Sequence, residues 1–273
     1  MPPEDPSQIE WVPWSELGPE WIQLWGDAPQ PEHIEITGQN GSGKTYFLLT
    51  ILQERASAFD DREILIVTKR ADDIFSAVGW PVTDRFEDVR AYRQVIFWPM
   101  SEAIGEERDA YVEKRLYELL SKLWVPNSNC VVAFDEIGYV EGLSKRMKRL
   151  IGMWWREARS MGITMVAMKQ RPVWVQRDQH SETRWKVVFP PADRGDMARF
   201  AELLGRPKEW EPILDELDAR EFVLHYSARR EDIEVQSFAS WIDSPLRPIR
   251  AQRDQERRPA LKSYRKVDRH GNK

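Results

Sequence analysis

The stretch that decides the fold is Gly38-Gln39-Asn40-Gly41-Ser42-Gly43-Lys44-Thr45. It matches the phosphate-binding loop pattern G-x-x-x-x-G-K-[ST] at every required position. The alternating segment His33–Thr37 precedes it and the apolar run Tyr46–Leu52 follows it, which predicts a strand, a tight loop and a helix. Backbone N–H groups of such a loop surround phosphates, and the helix N-terminus adds its positive dipole end. All eight residues are therefore predicted to bind ATP, with Lys44 at the β- and γ-phosphates and the Thr45 hydroxyl on Mg²⁺.

A second segment, Cys130-Val131-Val132-Ala133-Phe134-Asp135-Glu136, has the form of a Walker B strand. Such a strand is buried and delivers acidic residues at its carboxyl end. Asp135 is predicted to bind Mg²⁺, directly or through water, beside Thr45. Glu136 is predicted to act as the general base that polarises the attacking water. The adjacent acids favour hydrolysis over a passive nucleotide switch.

The third segment runs from residue 157 to residue 172 and predicts a helix end, an apolar strand and then Gln170. Ligands bind at the carboxyl ends of the strands in open parallel sheets, so Gln170 is a candidate contact to the γ-phosphate or the attacking water. It could equally be an ordinary polar residue that closes a strand. Arg159 could complement the dipole of the helix that it ends. Alternatively, it acts as an arginine finger toward a neighbouring subunit's nucleotide, with Arg156 as its rival.

From Glu32 onward, predicted strands and helices alternate, which favours an α/β fold with a mainly parallel central sheet flanked by helices. The predicted strands are His33–Thr37, Glu63–Thr68, Gln94–Trp98, Cys130–Phe134, Thr164–Met168, Trp185–Phe189 and Glu221–Tyr226. The predicted helices are Lys44–Ser57, Glu106–Trp124, Ser144–Arg159, Asp196–Leu204 and Trp210–Leu217. The alternating segment Asp232–Ser237 is expected to pair back as a hairpin.

Taken together, the three motifs resemble the FtsK–HerA superfamily of DNA-pumping ATPases. The stretch from Trp185 to Gly205 and the closing segment Glu221-Phe222-Val223-Leu224 are similar as well, so that the resemblance covers about Glu32 to Trp241. It implies a RecA-like P-loop NTPase core that forms a hexameric ring and threads double-stranded DNA.

Carried over by motif, the resemblance places Lys44 and Thr45 at phosphate and Mg²⁺, and Asp135 and Glu136 at metal and water. Gln170 then corresponds to the polar sensor and Arg159 to a trans-acting arginine. Neither the added winged-helix module nor the N-terminal barrel of some members is recognisable in this sequence, so neither type of DNA guide is expected. A core this small is more similar to viral genome-packaging ATPases than to chromosome-segregation motors.

Three regions are expected along the chain. Residues 1–31 form an extension rich in Trp and Pro, residues 32–243 form the ATPase domain, and residues 244–273 form a basic and flexible tail. In the extension, Trp14, Trp21 and Trp25 fall on one face of a predicted helix. This face is expected to cover the chain's own core, with a neighbouring subunit as the alternative. From Arg247 onward the tail has ten Lys and Arg against three Asp and Glu, within a chain of net charge −5.

Two groups of basic residues are candidate DNA contacts. One is the cluster Lys145, Arg146, Lys148 and Arg149, and the other is the pair Lys69 and Arg70. Such runs of charge are also common on solvated surfaces that bind nothing.

Composition excludes several classes. The 273 residues are 41% hydrophobic and 31% charged, with a mean hydropathy of −0.60, which indicates a folded chain without a membrane-spanning run. No signal peptide is recognisable, and the single cysteine, Cys130, excludes an internal disulfide. A cytoplasmic protein is expected, in the host cytoplasm if the chain is viral.

The leading hypothesis is therefore an ATP-hydrolysing motor that translocates or packages double-stranded DNA as a homo-oligomeric ring. The alternative is a nucleotide-dependent switch or assembly ATPase. Asp135-Glu136-Ile137-Gly138 fits the D-x-x-G pattern of GTPases, but no strand ends in a guanine-reading Asn-Lys-x-Asp sequence. A small-molecule kinase would leave Gln170 unexplained. The sequence leaves open whether a capsid or membrane protein anchors such a ring.

Overall fold

The computed structural model describes residues 9–170, 177–205, 207–227 and 237–243. Its strands are β1 (Trp11–Pro13), β2 (His33–Thr37), β3 (Arg62–Ile66), β4 (Val82–Thr83), β5 (Gln94–Phe97), β6 (Cys130–Phe134), β7 (Ile163–Lys169), β8 (Thr183–Val188), β9 (Glu221–Tyr226) and β10 (Ser237–Trp241). Its α-helices are α1 (Trp14–Gly26), α2 (Lys44–Ala58), α3 (Asp73–Ala77), α4 (Phe86–Val89), α5 (Glu106–Leu123), α6 (Ile137–Gly142), α7 (Lys145–Glu157), α8 (Arg177–Glu182), α9 (Arg194–Leu204) and α10 (Pro207–Glu216). A 3₁₀ helix, Ala158–Met161, separates α7 from β7.

The ten strands form one sheet in the order β1-β10-β9-β8-β2-β7-β6-β3-β5-β4. Within the described residues, β9 alone runs antiparallel to its neighbours. Strand β2, which leads into the phosphate loop, lies between β7 and β8. The carboxyl ends of β2, β6 and β7 therefore meet at one edge, as the α/β prediction requires.

The seven strands and five main helices predicted from the sequence are all present, with ends that shift by up to three residues. Strands β1 and β4 were not predicted, because each has only two or three residues. Ser237 of the expected hairpin pairs antiparallel with His225, whereas 232–236 and the basic tail 244–273 lie outside the described residues. In the described ranges, no helix is both long and apolar enough to cross a membrane.

The core has a layer on each face of the sheet, because side chains alternate along the buried strands. In β6, Val131 and Ala133 pack in the layer that contains α1 and α2. Val132 and Phe134 pack in the opposite layer, with residues of α5 and α7. Ile34 and Ile36 of β2 pack in the first layer together with α2, so the phosphate loop connects two elements that are anchored in the core.

The tryptophan-rich helix α1 belongs to this core, which confirms the prediction that it covers the chain's own interior. Trp14 and Trp21 are fully buried, and both rings contact Phe47 of α2. Strand β1 pairs with β10, and Ser15 at the start of α1 donates from its backbone N–H to the Asp243 carboxylate at 3.1 Å. The described part of the extension therefore contributes a strand and a helix to the same fold as the central sheet.

This packing predicts a pH-dependent stability. The Glu54 carboxylate accepts a hydrogen bond from Trp14 Nε1 at 3.0 Å, and burial raises its pKa from 4.5 to about 7. Between those two values the folded protein keeps a proton that the unfolded chain releases, so stability falls as the pH rises through this range. We expect Glu54→Gln, which keeps an acceptor for Trp14, to gain stability relative to the unaltered protein between pH 5 and pH 8, as measured by urea unfolding. The Glu16→Gln variant, at an exposed position, should show no such gain. An equal gain in both variants would contradict the attribution of this pH dependence to Glu54.

Candidate active site

Most of the predicted site residues line a cleft of about 340 Å³ at the carboxyl edge of the parallel strands. Its walls come from the phosphate loop, the ends of β6 and β7, the segment after β3 and the turn before β9. The lining residues are Asn40, Gly41, Gly43, Lys44, Thr45, Tyr46, Lys69, Asp72, Ile74, Asp135, Glu136, Met168, Gln170, Ala219 and Arg220. The topology therefore brings together three motifs that are separated by up to 130 residues.

The phosphate loop depends on glycine at particular positions. Gly38, Gly41 and Gly43 have φ values of 145°, 77° and 110°, a region that residues with a side chain rarely adopt. A Cβ atom on Gly38 would lie 2.5 Å from the Cβ of Phe189, so only glycine lets the loop pass so close to the end of β8. Ser42 Oγ donates to the Gln39 carbonyl at 2.8 Å and braces the turn.

Lys44 begins α2 and is buried within the loop. Its Nζ donates to the carbonyls of Gly38 and Gln39 at 2.7 and 2.6 Å. Burial lowers the pKa of Lys44 to about 8, while the Glu136 carboxylate favours the charged form. The ammonium is thus held at the centre of the loop, beside the surface that an incoming phosphate would contact.

The buried Asp135 carboxylate has one oxygen committed to the protein. Its Oδ1 accepts hydrogen bonds from the backbone N–H and the hydroxyl of Thr68 at 3.0 and 2.9 Å. Among the described residues, Oδ2 has no hydrogen-bond partner, and burial raises the pKa of Asp135 to about 6. Leaving a buried oxygen unpaired is costly, and a cation would remove that cost.

These groups fit Mg²⁺. In the part of the chain described, no group of three or more His, Cys, Asp or Glu side chains could hold a metal ion. Mg²⁺ in nucleotide sites usually takes only one or two protein ligands and completes its shell with phosphates and water. Asp135 Oδ2 and the Thr45 hydroxyl, both at the cleft, are the donor set that such a site needs.

Glu136 follows Asp135 directly and stands at the N-terminus of α6, where it is half-buried. Burial and the neighbouring Asp135 charge raise its pKa, whereas Lys44 and Lys169 oppose this shift. A carboxylate with a raised pKa is a better proton acceptor than one in open water. The position therefore suits a base beside the phosphates.

The other two predicted catalytic residues differ in placement. Gln170 lies at the carboxyl end of β7 and lines the cleft. Arg159 lies before β7, at the opposite edge of the sheet, and its guanidinium pairs with the Glu182 carboxylate at 2.6 Å. Arg159 therefore does not contribute to the cleft of its own chain.

The sequence analysis did not identify several residues that lie in the cleft or hold its side chains. Thr68, which holds Asp135, and Arg220, which precedes β9, match no nucleotide-binding motif. Lys69, a predicted candidate DNA contact, lines this cleft and pairs with Asp72 at 2.9 Å. The end of β3 lies near Asp135 because β3 pairs with β6 in the sheet. The order of strands in a sheet cannot be predicted from the local sequence of each strand.

Comparison with solved structures identifies the fold. The chain is similar to the genome packaging NTPase B204 from Sulfolobus turreted icosahedral virus 2 in complex with AMPPCP, with a TM-score of 0.51 and 14% identity over 72% of this chain and 92% of that chain. It is also similar to B204, the DNA-packaging ATPase from Sulfolobus turreted icosahedral virus (TM-score 0.54, 15% identity, 72% and 93% covered). A third similar structure is VirB4 of Thermoanaerobacter pseudethanolicus (TM-score 0.58, 9% identity, 78% and 89% covered).

No protein-family model matches the sequence, and no curated protein matches it either. The structural likeness extends over most of both chains in all three comparisons. It confirms the predicted fold class, an α/β core with a mostly parallel sheet flanked by helices.

Proposed function

We propose that this protein is a Mg²⁺-dependent ATPase that moves or packages double-stranded DNA as a ring of identical subunits. The observation that carries the proposal is the convergence of Lys44, Asp135, Glu136 and Gln170 on one cleft. Similarity to a DNA-packaging ATPase supports the choice of DNA as the substrate that is moved.

The chemistry follows from the positions of these groups. The loop N–H groups, the α2 N-terminus and Lys44 bind the triphosphate and neutralise its charge. Mg²⁺, held by Thr45 and Asp135, would supply further neutralisation of the phosphate oxygens. Glu136 accepts a proton from the attacking water, and Gln170 orients that water or the γ-phosphate.

A basic surface on α7 is our candidate for the DNA contact. Lys145, Arg146, Lys148 and Arg149 are all exposed, and no acidic residue lies in the first turn of this helix. The Arg146 guanidinium lies 3.3 Å from the centre of the Tyr117 ring, and this contact holds one of the four basic side chains in place. Cations near a helix N-terminus are disfavoured by the dipole, so this arrangement serves an anionic partner better than it serves helix stability.

The ring would also give Arg159 a role, because a residue outside its own cleft can reach only a neighbour's nucleotide. Its position at the opposite edge of the sheet is compatible with such action in trans, which requires release from Glu182. Arg159 thus remains our proposed arginine finger, with Arg156 as its rival.

Salt dependence tests the DNA contact. We expect the double variant Lys148→Ala/Arg149→Ala to weaken duplex binding and to reduce the slope of log affinity against log salt by about 2, since each lost phosphate contact removes about one. Fluorescence anisotropy with a labelled duplex between 50 and 300 mM salt measures both quantities. Lys208→Ala, an exposed charge on α10, is the control and should leave the slope unchanged. Equal slopes for the double variant and the unaltered protein would remove α7 from the DNA surface.

A further inference from the structure

Arg220 occupies a backbone position that normally belongs to glycine or asparagine. It lies in the turn Asp218–Glu221, which the Glu221 N–H closes by donating to the Asp218 carbonyl at 3.0 Å. The φ of Arg220 is 75°, in the left-handed region that L side chains disfavour. An observed outlier of this kind next to a binding cleft calls for a functional explanation.

The backbone of this turn supports the phosphate loop directly. The Arg220 N–H donates to the Ser42 carbonyl at 2.8 Å, and the Arg220 carbonyl accepts from the Ile242 N–H at 3.1 Å. A Cβ atom on Gly43 would lie 3.3 Å from the Arg220 Cα, so the two backbones are in close contact. Glycine at position 220 could make all of these contacts without strain, so they do not explain the arginine side chain.

The guanidinium itself faces the cleft. It lies 5.6 Å from the centre of the Tyr46 ring, and both residues line the cleft wall. Lys69, another cleft cation, pairs with Asp72, whereas no carboxylate among the described residues pairs with Arg220. Its donors are therefore available to a ligand.

Sheet order determines which end of a nucleotide Arg220 would meet. The phosphate loop leaves β2, with β7 and β6 on one side and β8 and β9 on the other. Asp135, Glu136 and Gln170 end the strands on the first side, which is the γ-phosphate side under the proposed function. Arg220 precedes β9 on the second side, where the rest of the nucleotide must extend.

We infer that Arg220, together with Tyr46, forms the subsite for the nucleoside end of the nucleotide, with the guanidinium against the purine base and its sugar. This inference rests on the proposed function. A planar guanidinium suits this ligand because it stacks on flat rings and donates several hydrogen bonds from one plane. The backbone of the turn anchors Arg220 beside the phosphate loop. Lys44 would contact the phosphate end of the same ligand.

The test compares ligands that all carry phosphates but differ in whether they carry a nucleoside. We expect Arg220→Gly to bind ADP and ATP about tenfold more weakly, by the same factor, and to bind inorganic tripolyphosphate as the unaltered protein does. Isothermal titration calorimetry gives all three affinities, and the melting temperature should stay the same or rise because glycine relieves the strained φ. Arg220→Asn, which also tolerates this backbone, provides a second variant, and exposed Arg199→Ala on α9 is the control.

The outcomes separate the subsite from the proposed function. Unchanged ADP affinity in both Arg220 variants would overturn the subsite, and so would a loss restricted to ATP or an equal loss for tripolyphosphate. An unaltered protein that binds ATP no better than Lys44→Ala does would overturn the proposed function, and the subsite with it.

Discussion

Replacing Glu136 by glutamine is expected to lower kcat for ATP hydrolysis by about 10²–10⁴-fold, the usual contribution of a general base. Glutamine has nearly the same shape as glutamate but cannot accept a proton from water. The phosphate loop and Lys44 are unaltered, so ATP binding should remain within a few-fold of normal. Steady-state phosphate release and calorimetric titration of ATP measure the two quantities on the same preparation.

Glu141→Gln is the matched control, because Glu141 is a buried carboxylate of α6 that does not line the cleft. It should retain hydrolysis far better than Glu136→Gln does. A Glu136→Gln protein with more than a tenth of normal kcat would contradict the assignment of the base. The variant also serves to test Arg159: mixing inactive Glu136→Gln subunits with Arg159→Ala subunits should restore some activity if Arg159 acts in trans.

Replacing Trp14 by alanine is expected to destabilise the fold by about 3–5 kcal/mol, the usual cost of removing a fully buried aromatic side chain. The Trp14 ring contacts those of Trp21, Phe47 and Phe222, which belong to α1, α2 and β9. Its loss opens a cavity between the N-terminal helix and the helix that begins at the phosphate loop. Urea unfolding followed by circular dichroism measures the change.

Trp11 provides the control because it lies three residues earlier and is 41% exposed. We expect Trp11→Ala to cost much less than Trp14→Ala. Similar costs for both variants, or a cost below about 1 kcal/mol for Trp14→Ala, would mean that the N-terminal helix is not part of the hydrophobic core.

The elements that the sequence predicts best are those with a strong local pattern. The phosphate loop has fixed glycines, and β2 before it alternates apolar and polar residues. Strands β6 and β7 are buried on both faces and therefore read as apolar runs. The acids after β6 and Gln170 after β7 follow from the same rule, because neighbouring parallel strands end at the same edge.

The features that sequence reasoning missed depend on pairing between distant segments. Strand β1 has only three residues and is held by β10, more than 220 residues later. Thr68 reaches Asp135 because β3 lies beside β6, and Arg220 reaches the cleft because β9 pairs with β8. The left-handed backbone conformation of Arg220 also could not be predicted from the sequence, since glycine is the residue favoured at that turn position.

The most direct test of the central claim is the rate of steady-state ATP hydrolysis with and without long double-stranded DNA, with Lys44→Ala as the blank. We predict that the duplex stimulates hydrolysis strongly, that the stimulation weakens as salt rises, and that the Lys44→Ala protein shows none of it. Hydrolysis that depends on Lys44 but is the same with and without duplex, at every salt concentration, would contradict the claim that this ATPase moves DNA.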